Sequence, residues 1–224
     1  MTTFQRARSE EQREIRRQAI LDTAVAMLDE MPVGAVSLNE LSRRVGLAKS
    51  NVLRYFESRE AVLLQLLDDA WKQWTADLPD RLAAGVDAGA GVDVRGEQFA
   101  SAVVASLADR TMLCDLFSAQ AGVLEHNVSA DVAARYKRAA LANVDALADL
   151  ARTHLPELGD RAEGLARSMT MMIGAMWTHA RPSPAMLAAY DADPSLAVLR
   201  MDFAASLREM LATLTAGTLA RPAP

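Results

Sequence analysis

The stretch from Ser37 to Glu60, SLNELSRRVGLAKSNVLRYFESRE, constrains the fold more than any other part of the chain. Ser37 is placed to N-cap a short helix, and Glu40 to close a capping box ahead of the apolar pair Leu41 and Val45. Gly46 supplies a turn, and the small Ser42 one helical turn earlier lets a second helix cross close over the first. Leu41, Val45, Leu47, Val52 and Tyr55 fall where two crossed helices need a shared core. Lys49, Ser50, Asn51 and Arg54 then lie on the far side of the second helix, where they can face a DNA groove. Two short helices, a tight glycine turn and the start of a third make a helix-turn-helix.

Charge around this segment fits that expectation although the whole chain does not. Between Ser42 and Arg59 the cations Arg43, Arg44, Lys49, Arg54 and Arg59 face Glu57 alone, a local net charge of +4, whereas the chain carries −5 overall. A bare run of cations is commonly a solvated helix face. Beside a helix-turn-helix it reads as a surface for phosphates, whose counterions are released on binding, while the acidic remainder discourages indiscriminate coating of DNA.

The segment GLAKSNVLRYFESREAVLLQLL resembles the recognition helix and following helix of the tetracycline-repressor (TetR) family of bacterial regulators. Gly46, Lys49, Arg54, Tyr55, Phe56 and Glu60 match the family pattern outright, and Leu47 and Val52 are apolar equivalents. Where the family usually has an aromatic residue this chain has Leu53, which can meet a thymine methyl group but cannot donate a hydrogen bond. Met31-Pro32-Val33-Gly34 replaces the family's Gly-aromatic pair, implying a variant turn. The resemblance implies an all-α fold and a DNA-contacting set of Ser37, Arg43, Arg44, Lys49, Ser50, Asn51, Leu53, Arg54, Tyr55 and Arg59. Arg59 would hold a phosphate beside a helix N-terminus.

The expected layout is a helix-turn-helix DNA-binding domain over residues 1–57 and a helical effector-binding and dimerisation domain over 58–224. A connecting helix occupies 58–82 and a Gly-rich loop 83–96. Ser9 is read as the N-cap of a first helix running to about Glu30, with Ile15, Ile20, Ala24, Met27 and Leu28 as its buried stripe. Arg6 and Arg8 ahead of it form either a minor-groove arm or a frayed end. Ser58 caps the connecting helix and Ser129 a long helix that ends near Pro156. With 51% hydrophobic and 24% charged residues the composition is that of a soluble globular protein. No apolar run of about 18 residues is present to span a membrane. The N-terminus lacks the pattern of a signal peptide, and a cytoplasmic location is expected.

Towards the C-terminus two helices carry apolar stripes that must be buried. In the family the corresponding helices pair into a dimer interface, which implies a homodimer through Leu165, Ile173, Leu199, Phe203, Leu207, Met210 and Leu214, with Gly174-Ala175 allowing close approach. Completion of the monomer's own core is the alternative. Met112, Cys114, Phe117, Met169, Met172, Met176, Trp177 and His179 fall on helices resembling the family's effector cavity walls. Met side chains suit an adaptable apolar pocket and suit core filling equally well.

Enzymatic chemistry finds no support. His126, His154 and His179 lack any metal-ligand spacing, Cys114 is the single cysteine, and no nucleophile elbow or phosphate-binding loop is present. No metal and no cofactor are expected. The implied function is a dimeric transcriptional regulator, a repressor that binds a palindromic double-stranded DNA operator and is released by a small, largely apolar effector. The alternative is a helical ligand-binding or protein-interaction module whose head no longer reads sequence, for which Leu53 is the main argument.

Overall fold

The computed structural model describes residues 3–221, and within the first helix it describes side chains from Glu10 onward. The side chains of Arg6, Arg8 and Ser9 therefore lie outside the described residues. Ten α-helices order the described chain: α1 (Thr3–Glu30), α2 (Leu38–Val45), α3 (Lys49–Val52), α4 (Arg59–Gly85), α5 (Val92–Ser106), α6 (Thr111–Ala119), α7 (Ala130–His154), α8 (Ala162–His179), α9 (Pro184–Ala192) and α10 (Phe203–Ala220). They divide into two compact units: residues up to Leu67 together with Ala119–Tyr136, and Asp68–Ser118 together with Lys137 to the C-terminus.

The first unit is built on α1, α2, α3 and the first turns of α4. Helix α1 is already helical at Thr3, so it does not begin at Ser9. Its stripe is Ile20, Leu21, Ala24 and Met27, all buried; Ile15, expected to join it, lies one turn before that stripe and is 62% exposed. Arg17 closes the upper end of that face, donating to Gln65 Oε1 at 2.7 Å with its guanidinium 5.2 Å from the Phe56 ring centroid.

Helix α2 starts at the Ser37 cap, whose Oγ accepts the Glu40 N–H at 3.2 Å. The reciprocal half of the capping box is not made, because both Glu40 carboxylate oxygens are taken by arginines. The helix stops where Gly46 takes φ 70°, ψ 26°. There Leu47 N–H donates to the Ser42 carbonyl at 3.1 Å and Gly46 N–H to that of Arg43 at 3.3 Å, the bond pair of a Schellman turn. Beyond it, α3 is a single turn that tightens to three-residue spacing, with Arg54 N–H on the Asn51 carbonyl and Tyr55 N–H on that of Val52. Leu41 and Val52 fill the crossing completely, while Val45, Leu47 and Tyr55 are half-buried.

The variant turn after α1 is a 3-10 turn at Val33–Ala35. Arg59, in the first turn of α4, fastens it by donating to the carbonyls of Gly34 at 3.2 Å and Val36 at 2.6 Å. Ser58 caps α4 through the Ala61 N–H at 3.1 Å. The second piece of this unit holds a π-helical turn at Gln120–Leu124, with Leu124 fully buried. It also contains the start of α7, whose Ser129 cap accepts the Val132 N–H at 3.3 Å. The Ser129 N–H itself donates to Glu57 Oε1 at 2.5 Å, joining residues 72 apart in sequence. That bond is the leading cause holding the Glu57 carboxyl below its ordinary range.

In the second unit α4 presents Trp71, Trp74, Leu78 and Leu82 as one buried stripe. The Trp74 indole N–H finds Ser106 Oγ at 2.7 Å, so a large apolar body is buried without an orphaned donor. The helix runs past Leu82 to Gly85 and α5 begins at Val92, so the Gly-rich connection spans 86–91 rather than 83–96. Two causes shorten it. Gly85 brings α4 close to α5, where an added Cβ would sit 3.2 Å from Ala102 Cβ, and Gly96 brings α5 against Thr215 and Leu219 of α10. The remaining turn is held by Gln98 Oε1 accepting the Asp87 N–H and Asp87 Oδ1 accepting the Gly89 N–H, each at 2.9 Å.

Helix α10 lies antiparallel to both α5 and α8; at its end the carbonyls of Leu219 and Arg221 accept from Arg161, which precedes α8. Gly174 of α8 touches the end of α6 within this unit, where an added Cβ would stand 2.8 Å from the Phe117 carbonyl oxygen. The close approach that its lack of a side chain permits is thus used inside the monomer. Helix α9 and the 3-10 turn Pro194–Leu199 contain no buried residue.

Three glycine substitutions test these assignments by thermal or denaturant unfolding. Gly46→Ala should cost about 1–2 kcal/mol, because a Cβ is strained in the left-handed region although nothing lies within 4 Å of it. Gly174→Ala should cost about 1–3 kcal/mol through overpacking against backbone. Gly164→Ala, on the same helix with open space around it, should be neutral or stabilising by up to about 1 kcal/mol.

Candidate nucleic-acid interface

The turn at Gly46 carries the chain into α3 so that one side of it lies inside the unit and the other outside. Val52 is fully buried, and Lys49, Ser50, Asn51, Leu53 and Arg54 are exposed together. Neither Lys49 nor Arg54 has a hydrogen-bond or ion-pair partner among the described residues, which leaves two uncommitted cations beside two polar side chains and an apolar one. Leu53 is 41% exposed at the C-terminal edge of α3. Tyr55 is half-buried at its rim. Such a mixture offers charge to phosphates, an amide to base edges and a methyl-bearing surface to thymine.

The other expected contacts divide differently. Ser37 is spent on the cap of α2. Arg43 forms a two-bond fork with Glu40, at 2.9 Å through Nε and 2.6 Å through NH2. Arg44 is tied to Glu40 at 2.8 Å and to Glu30, at the end of α1, at 2.7 Å. These bonds, that to Arg43 first, lower the Glu40 carboxyl to about 2, so the cluster stays charged at any physiological pH. Arg59 pairs with the buried Glu60 at 2.7 Å besides holding the 34–36 turn, so it is committed to the fold of the head. Asn39 was not among the expected contacts. It is exposed one helical turn before Arg43 and shares its face, a signal present in the spacing of four.

The residues expected to line an effector cavity belong to the second unit and do not share one environment. Cys114 and Met169 are fully buried, Phe117 and Met176 nearly so, Met112, Met172 and Trp177 half-buried, and His179 exposed. Burial pushes the Cys114 thiol up to about 12, with Asp115 adding to the effect, so it is no thiolate at neutral pH. Trp177 donates through Nε1 to Asp115 at 2.7 Å, and Arg181 reaches the same oxygen at 2.9 Å. Arg181 lies 5.0 Å over the Trp177 ring, and Phe203 meets it edge-on at 4.7 Å. Missed from sequence were Trp71 and Trp74, which pack edge-on against Phe117 at 4.8 and 6.5 Å. The Trp71 indole N–H is buried and has no acceptor among the described residues. The stripe of α4 that carries both tryptophans was the available signal.

The expected dimer set also divides. Leu165, Ile173 and Leu207 are at most 2% exposed and belong to the monomer's own core, which leaves them no surface to offer a partner. Phe203 and Leu214 are half-buried, whereas Leu199 and Met210 are 65% and 44% exposed. The outer face of α8 is instead Gly164, Ser168, Met171 and Ala175. Between it and Thr213, Leu214 and Gly217 of α10 runs a groove of about 740 Å³.

Among the described residues no helix is long and apolar enough to cross a membrane. Comparison with known proteins matches residues 20–66 to the family described as bacterial regulatory proteins, tetR family. Residues 68–222 match the tetracyclin repressor-like C-terminal domain. The HTH-type transcriptional regulator EthR of Mycobacterium tuberculosis is 42% identical over 50 residues, 22% of this chain and 23% of EthR, so the match spans about a quarter of that relative. In three dimensions the chain is similar to the fatty acid degradation regulator FadR from Bacillus halodurans, with 13% identity, coverage of 89% and 98% of the two chains and a TM-score of 0.53. A TetR-family regulator from Syntrophomonas wolfei gives 15% identity, 94% and 97% coverage and a TM-score of 0.53. With family matches over both units, one of them covering well over half of its length, this chain belongs to the TetR family of DNA-binding transcriptional regulators, which are not enzymes.

Proposed function

We propose that the protein acts as a homodimeric repressor that reads a palindromic operator with the outward side of α3 and lets go when a small, largely apolar molecule binds its second unit. The observation that carries the DNA-reading part is the exposed set Lys49, Ser50, Asn51, Leu53 and Arg54, with both of its cations uncommitted. Asn51 is the side chain suited to a base edge, Lys49 and Arg54 to phosphate or guanine, and Leu53 to a thymine methyl group. A second copy is supported by the α8–α10 groove, which is lined in part by the small residues Gly164, Ser168 and Gly217, and by Met171 of α8 and Met210 of α10, which add exposed apolar surface on the same two helices. Two heads related by a twofold axis read inverted half-sites about one helical turn or more apart.

The effector reading is supported by the buried edge-on pair of Trp71 and Phe117. There the unsatisfied Trp71 N–H is a donor that an apolar ligand with one acceptor would take up. Occupancy would shift the population toward head spacings that no longer fit successive grooves.

Fluorescence anisotropy on duplexes tiled across the DNA upstream of its own coding sequence, at two salt concentrations and with a scrambled control, tests the reading. One tile should bind tightly, with affinity falling steeply as salt rises. Asn51→Ala should lose roughly tenfold or more on that tile, as a base contact does, and much less on the scrambled duplex. Equal losses on both would take Asn51 out of the base-reading set, and absence of preference among all tiles would favour the ligand-binding or interaction module.

A further inference from the structure

The five cations counted around the helix-turn-helix are not equivalent. Arg44 is shared between two carboxylates and Arg59 is fixed by carbonyls and Glu60, while Lys49 and Arg54 are uncommitted. Arg43 is the intermediate case. Its side chain is 72% exposed, and the acid that holds it, Glu40, lies on its own helix. A carboxylate that takes a guanidinium through both Nε and NH2 occupies the same donors a phosphate would use. In a helix-turn-helix the first helix crosses the DNA backbone, and Asn39 and Arg43 share the exposed face of that helix.

We propose that Glu40 is a positioning residue that withholds the Arg43 guanidinium from the phosphate backbone and so limits how tightly the head holds DNA of arbitrary sequence. The inference rests on the DNA-binding reading above. Glu40 is free for this task because the capping-box bond it could make to the Ser37 N–H is absent. Ser37 caps α2 through the Glu40 backbone N–H alone. Exposed ion pairs add little to stability, so removing this one frees Arg43 without unravelling the helix. Arg44 is not freed in the same way, because Glu30 still holds it at 2.7 Å.

The test uses the full chain and a fluorescein-labelled mixed-sequence duplex, with anisotropy titrations over a range of salt. Glu40→Gln adds one effective phosphate contact. It should bind roughly eightfold more tightly at about 0.1 M salt, with a slope of log affinity against log salt steeper by about 0.9. The gain must act through Arg43: in an Arg43→Ala background the same Glu40→Gln change should alter neither affinity nor slope. Glu30→Gln should leave the slope unchanged. Should the Gln variant melt early, Glu40→Ala, with its high helix propensity, gives the same reading. Wild-type affinity in Glu40→Gln would overturn the proposal, as would an equal gain with and without Arg43, which would mark a general charge effect. A wild-type protein that binds no duplex at any salt would remove the DNA-binding reading and this proposal with it.

Discussion

The left-handed backbone at Gly46 is the constraint on which the DNA-reading head depends. It ends α2 and satisfies the loose carbonyls of Ser42 and Arg43. It also redirects the chain so that the next turn can bury Val52 while leaving Lys49, Asn51 and Arg54 outside. Any residue with a Cβ meets a steric penalty there, and the alternative of relaxing φ would rotate α3 and turn its outward side chains with it. The exposed side of α3 therefore owes its orientation to a residue that contributes no side chain to it.

Acidic side chains decide which basic ones remain available. Formal charge across the motif is strongly positive, yet Glu30, Glu40 and Glu60 neutralise three of the arginines in place. What is left open is concentrated on α3. A DNA-binding regulator has to be attracted to DNA in general without being trapped by it, and pairing most of the cations around the motif internally keeps the sequence-independent attraction low. The same pairs fasten α1 to α2 and the 34–36 turn to α4, so stiffness of the head and restraint of its charge come from shared atoms.

The helix-turn-helix was legible because its signals are local. A Ser cap, a glycine at the turn and apolar residues at fixed offsets each act within a few bonds of their cause, and Ser37, Gly46, Ser58 and Ser129 all behave as those rules require. The all-α architecture followed from apolar periodicity for the same reason. What could not be read was the choice among partners. Glu40 had a backbone N–H and two arginines within reach, and only the folded geometry shows that the arginines win. Gly174 looked suited to a helix–helix contact, but its partner is the Phe117 carbonyl of the same chain. Leu165, Ile173 and Leu207 have a periodicity that serves a core as well as an interface, and packing of α10 against α5 and α8 decides between them. The glycines of 83–96 suggested a loop because their count hides the fact that Gly85 and Gly96 are contact points between helices.

The bond from Ser129 to Glu57 has a consequence for how the head comes into being. The unit that contains the DNA-reading helices also contains Ala119–Tyr136, with Leu124 in its interior. A ribosome that has released residues only through Leu67 has released a head with its last turn unbonded and a hydrophobic seat empty. That head reaches its final form after the intervening 68–118 have been made, so its maturation is non-local and slow compared with that of its individual helices. A nascent chain cannot complete the first unit until residues 68–118 of the second have emerged ahead of its last piece.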